Sequence, residues 1–144
     1  MTIRTIRCLQ CCLIFFACLR GYAQDPAAID SMKRALATAG SLEQKAFWYD
    51  NLSRTMMNVN PAAADSLGEK YIFMAEESRD RKLIFDAFVS NGIRCGYFRN
   101  QRRFVERSIG YFEKALEVAR QNKMDKRAGA AQLVGGRAGD KAPQ

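Results

Sequence analysis

A pattern that begins at Trp48 returns forty residues later. Trp48-x-x-Asn51-Leu52-Ser53-Arg54-Thr55 lies over Phe88-x-x-Asn91-Gly92-Ile93-Arg94-Cys95 at an offset of 40. Further on, Met74-Ala75-Glu76 lies over Val118-Ala119-Arg120 at an offset of 44. The polar turns that follow also agree in kind, Arg79-Asp80-Arg81-Lys82 against Lys123-Met124-Asp125-Lys126. The difference of four residues is about one helical turn, inserted near an Arg-rich loop. A period in this range belongs to helical repeats, each unit being helix, short turn, helix, polar turn.

Local signals agree with helices throughout. Asp25-Pro26 reads as an N-cap followed by proline at the first helical position. Ile29, Met32 and Leu36 follow at helical spacing, and Gly40 is a natural stop. Ser41 and Gln44 form a Ser-x-x-Gln capping box for the next helix, striped by Trp48, Leu52, Met56 and Val59. Asn60-Pro61 ends that helix and caps a third, striped by Leu67, Tyr71, Met74 and Ser78. After a polar turn at 78–82, Ile84, Phe88, Asn91 and Cys95 stripe a fourth. A second turn at 98–104 (FRNQRRF) precedes a fifth, striped by Val105, Ile109, Phe112, Leu116 and Ala119. A third polar turn occupies 122–127, and a further helix is expected to start near Asp125 and stop at Gly135-Gly136. No segment alternates with period two for long enough to propose a sheet.

On these residues the chain resembles the tetratricopeptide-repeat (TPR) family. The best match is SIGYFEKALEVA, residues 108–119, with small Ser108, aromatic Phe112 and small Ala115 at the spacing of a TPR second helix. Trp48 and Leu52, then Phe88 and Gly92, match the first helix, and Ala64 fits the small position of the second. Tyr71 departs from the pattern, since the family prefers Ala there, and the proline that often closes a repeat is missing from both units. The resemblance covers residues 42–127. It implies an all-α fold of antiparallel helical hairpins stacked as a short right-handed solenoid, acting in protein–protein interaction or as a scaffold. It also resembles the exported N-terminal repeat regions of Bacteroidetes sensor and regulator proteins, so a fragment of a periplasmic sensor region is the alternative expectation.

The first 23 residues read as an address rather than as part of the fold. Arg4 and Arg7 precede a short apolar core, Cys8 to Leu19, and Gly21-Tyr22-Ala23 offers small residues to a signal peptidase. Cleavage after Ala23 makes the protein exported, periplasmic or secreted. Phe16-Ala17-Cys18 also resembles the end of a lipobox, with Phe15 where Leu is preferred, so a lipoprotein is an alternative, as are an uncleaved anchor and a buried N-terminal helix. The expected organisation is then residues 1–23 signal peptide, 24–40 leading helix, 41–127 two TPR-like pairs, and 128–144 the start of a further helix and a flexible tail. Cys8, Cys11, Cys12 and Cys18 leave with the address, so the mature chain keeps Cys95 alone and no internal disulfide. Arg4, Arg7 and Arg20 leave too, which lowers the formal net charge from its full-chain value of +8. The remaining positive balance is mild for a nucleic-acid binder, and none is expected. No apolar run in the mature chain reaches the ~18 residues of a membrane span.

The 144 residues contain no histidine, which removes Ser–His and Cys–His nucleophiles and His-ligated metals together. Nothing argues for catalysis or a cofactor. The first-helix faces are the expected peptide groove, carrying Ala46, Tyr49, Ser53 and Met56 in the first unit and Asp86, Val89, Ile93 and Tyr97 in the second. That mixture suits an amphipathic peptide. The family's carboxylate clamp needs Lys and Asn where Tyr49 and Ser53 stand, so that function is not implied. Packing against further repeats is the alternative for these residues. Arg94, Arg99, Arg102, Arg103 and Arg107 cluster with Tyr97, Phe98 and Phe104, a possible anion patch. A solvated turn is the alternative for the arginines. Cys95 reads as a small buried hydrophobe rather than a reactive thiol, and Trp48 as a core residue. Asp65, Glu69, Glu76 and Glu77 read as a solvated face. With two units and a leading helix, self-association or a partner protein is expected to complete the stack.

Overall fold

The computed structural model describes residues 26–98 and 102–139, and these are all-α. The helices are α1 (Pro26–Thr38), α2 (Leu42–Met56), α3 (Pro61–Ser78), α4 (Arg81–Tyr97), α5 (Arg102–Gln121) and α6 (Asp125–Gly139). The address at 1–23 and residues 140–144 lie outside the described residues, as does Arg99.

Side-chain caps set the boundaries. Ser41 Oγ accepts from the Gln44 amide at 3.2 Å, and Gln44 Oε1 reaches back to the amide of Gly40 at 3.0 Å. The Ser-x-x-Gln box therefore forms, with its return bond one residue earlier than the standard arrangement. Asn60 accepts from the Ala63 amide at 3.0 Å with Pro61 behind it, and Asp80 accepts from the amides of Lys82 and Leu83. Arg79 alone makes the reversal between α3 and α4, with φ of 57° in the left-handed region. The turn expected at 78–82 is thus shorter, because Ser78 still belongs to α3 and Asp80 already caps α4. Likewise Arg102, Arg103 and Phe104, expected in a turn, open α5.

Consecutive helices pack on one another, α2 with α3, α4 with α5, and α6 onto α5. In addition α2 reaches α4, and α4 reaches α6. The buried core joins Tyr71, Phe85, Phe88, Phe104 and Tyr111 with a series of alanines that let helices approach. Ala46, Ala64, Ala75, Ala87 and Ala115 are fully buried. On α4 the expected stripe of Ile84, Phe88, Asn91 and Cys95 is the buried one. On α3 the stripe is shifted: Ala64, Gly68, Tyr71, Ile72 and Ala75 are buried, while Leu67, Met74 and Ser78 are half-buried. Trp48, expected in the core, is also half-buried, with its ring edge-on to Phe47.

The expected stop at Gly135-Gly136 is corrected by the structure. α6 runs through both to Gly139, so the two glycines do not end it. Gly135 is there for packing: a Cβ on it would meet Phe112 Cβ at 3.1 Å. A glycine inside a helix costs about 1 kcal/mol against alanine, and close approach is the usual compensation.

Candidate functional site

The two stretches that match at an offset of 40 meet in space. Asp50 and Ser90 are repeat equivalents, and Ser90 Oγ donates to Asp50 Oδ1 at 2.5 Å. Arg54, one turn along α2, donates through Nε to the same carboxylate at 3.2 Å and through Nη2 to Ser90 Oγ at 3.3 Å. Beside these lies a cleft of about 210 Å³ lined by Arg54, Met57, Ser90, Ile93, Arg94 and Tyr97. Four of the six are repeat partners, Arg54 with Arg94 and Met57 with Tyr97. Ile93 and Tyr97 are exposed, Tyr97 by 69%.

Of the residues expected to form a groove, Ile93 and Tyr97 on α4 line this cleft, and those expected on α2 do not. Ala46 and Ser53 are buried, the Ser53 hydroxyl donating to the Asp50 carbonyl at 2.9 Å. Tyr49 and Met56 are half-buried, Tyr49 packed against the core with Lys70 over its ring. Arg54 and Met57, the next positions round the helix, line the cleft instead. The reason is the buried face of α2, which includes Leu52 and Ser53 and so turns their neighbours outward. Val89 is half-buried against the core, and Asp86 is paired with Arg127 at 2.5 Å.

The arginines expected to form one anion patch are divided. Arg94 is buried, its side chain only 3% exposed, and it donates to Asp65 Oδ1 at 2.8 Å and to Asn91 Oδ1 at 2.5 Å. Arg107 donates to Asp65 Oδ2 at 2.6 Å and to Glu69 at 2.7 Å. Tyr111 donates its hydroxyl proton to the same Glu69 oxygen at 2.5 Å. Arg102 pairs with Glu106 on its own helix, and exposed Arg103 lies over the Phe104 ring. Among the described residues, Arg102 and Arg103 therefore take no part in the hydrogen bonds that hold Arg107. Asp65 and Glu69, expected on a solvated face, are the acids that hold two of the arginines.

This ionic network joins α3, α4 and α5 behind the cleft. Burial pushes the Asp65 carboxyl up, but hydrogen bonds from Arg107 and Arg94 outweigh it and hold the group below its ordinary range. The bond to Asp65 raises the Arg107 pKa despite burial, so the residue is a fixed cation. Burial, then the bond to Glu69, pushes the Tyr111 phenol up to about 12. Gly68 makes room for the network, since a Cβ there would overlap Asn91 Oδ1 and lie 2.5 Å from Arg94 Nη2. Asn91 Nδ2 then donates to the Gly68 carbonyl at 3.2 Å. Cys95 is fully buried, and burial pushes its thiol up, away from nucleophilic use.

The sequence reading missed Arg54, Met57, Ser90 and Arg94 as cleft residues. One signal was available: Arg54 and Arg94 are the matched arginines of the repeat. No group of three or more His, Cys, Asp or Glu among the described residues could hold a metal ion. No described helix is long and apolar enough to cross a membrane. Comparison with protein-family models, curated proteins and solved structures finds no match.

Proposed function

We propose that this chain is an exported repeat module of the TPR type that binds a segment of another protein between α2 and α4 and performs no catalysis. One observation carries the reading. The cleft lies between matched positions of the two repeat units, where stacked antiparallel hairpins in a right-handed solenoid would bring their first helices side by side. Its exposed Ile93 and Tyr97 beside Arg54 give the mixture of apolar and hydrogen-bonding groups that peptide grooves use. The resemblance at 42–127 supports the family, and the pattern at 1–23 supports export.

Photo-cross-linking in the living cell tests this. A benzoylphenylalanine in place of Tyr97 should give a discrete heterologous adduct, and one in place of exposed Glu117 on α5 should not. Equal labelling from both positions, or none from Tyr97, overturns the groove.

A second reading, a sensor region within a longer signalling protein, is favoured by the outer face of α6. Leu133 is 71% exposed, and a Cβ on Gly129 or Gly136 would meet nothing within 4 Å. The corresponding α4 residues, Phe85 and Gly92, are buried. A further helix packed on α6 would give it the environment α4 has.

A further inference from the structure

Among the described residues, one buried side-chain polar atom has no hydrogen-bond partner, Nε of Arg94. The same residue forms part of the cleft wall. Its two terminal nitrogens are committed to Asp65 and Asn91, so the guanidinium is fixed in place with one N–H lacking an acceptor. A buried donor left in that state keeps its full desolvation penalty until something accepts from it. The second guanidinium in the wall, Arg54, uses Nε on Asp50 and Nη2 on Ser90. Its side chain is 63% exposed, which leaves the rest of its fork open to a ligand. Ser90 gives its own proton to Asp50. The cleft thus offers the open fork of Arg54, with a second guanidinium in its wall whose buried Nε lacks an acceptor, beside an apolar rim of Met57, Ile93 and Tyr97.

We propose that the cleft recognises a partner segment in which an acidic side chain sits next to a large apolar one. The carboxylate accepts from Arg54 and, after a small movement of the cleft wall uncovers it, from the buried Nε of Arg94. The apolar side chain lies against Met57, Ile93 and Tyr97. A carboxylate is favoured over a carbonyl because charge-assisted bonds to guanidinium are the stronger kind. Asp50 and Asp65 stand behind the two guanidiniums and neutralise their long-range field. Recognition therefore acts at contact distance and selects by geometry rather than by steering. This deepens the interaction-module reading and rests on it.

The test titrates the 15N-labelled protein with two acetylated, amidated helical peptides of about 15 residues. One carries Leu and Glu one turn apart, and the other has Gln in place of the Glu. The expected result is that the Glu peptide moves the Arg94 Nε–H resonance and the amides of Ser90, Ile93 and Tyr97. It should bind about tenfold more tightly than the Gln peptide. Arg54→Gln, an exposed substitution, should shrink that ratio towards one with the circular dichroism unchanged, and Tyr97→Ser should weaken both peptides alike. Equal affinity for the two peptides with the Arg94 resonance unmoved overturns acid recognition and leaves the module reading standing. No movement of any cleft resonance with either peptide overturns the cleft as the acidic site. Whether the module reading itself survives is then decided by the cross-link from position 97.

Discussion

Two helix joints among the described residues, α3 on α4 and α5 on α6, are built from opposite materials. Where α3 meets α4, the second-helix position is Gly68, and the first helix fills the gap with Asn91 and Arg94. Where α5 meets α6, the second helix supplies Phe112, and the facing position on α6 is Gly135. At the offset of 44, Gly68 corresponds to Phe112 and Asn91 to Gly135. Large and small have changed sides, and polar has become apolar. Both joints solve one problem, the close approach of two helices at a small residue. The first adds a directional requirement, since each partner in it is held by named hydrogen bonds. The second asks only for shape.

The joints should therefore break differently. The largest effect is expected from Phe112→Ala, which removes a ring packed on both Gly92 and Gly135 and should lose about 4 kcal/mol in urea denaturation. Asp65→Asn should lose about 3 kcal/mol, because buried Arg94 keeps its charge without its counter-ion. The double variant Asp65→Leu with Arg94→Met makes the first joint resemble the second. It should recover most of that loss, and a double variant as unstable as Asp65→Asn would refute the claim that the joints are interchangeable in kind.

Acid should separate the joints next. The folded Asp65 pKa lies below its unfolded value, so its contribution is complete above the unfolded pKa and disappears as pH falls through the folded one. Asp65→Asn should flatten that part of the stability–pH curve, and Phe112→Ala should leave its slope intact. The smallest pair uses α6 alone. Gly135→Ala should destabilise by about 1 kcal/mol against the Phe112 ring, whereas Gly136→Ala, in open space, should stabilise by about 0.5 kcal/mol. Equal signs would mean that α6 is not packed as described.

Much of this was legible in the residues. Caps at Ser41 and Asn60 mark helix starts through local hydrogen bonds, and local signals survive without tertiary context. The all-α class follows from the same periodicities. The α2 side of the cleft was not legible, because periodicity fixes which residues share a helix face but not how far that helix is rotated against its neighbours. Leu52 and Ser53 bury together, and this moves the cleft from Ser53 and Met56 to Arg54 and Met57. The fate of the arginines was hidden for a related reason. Nothing local distinguishes Arg94, held by an acid on α3, from Arg102, held on its own helix. The hint was Gly68, an interior helical glycine whose unfavourable propensity indicates that something large lies against it.

Cys95 has a practical consequence of its own. Its sulfur is fully enclosed between the two joints, on the central helix, and its elevated pKa keeps it as the unreactive thiol. A thiol reagent can reach it only when α4 parts from its neighbours. Its labelling rate, followed by mass spectrometry at that one residue, is therefore a clock for the opening of the core, built into the chain without any engineered probe.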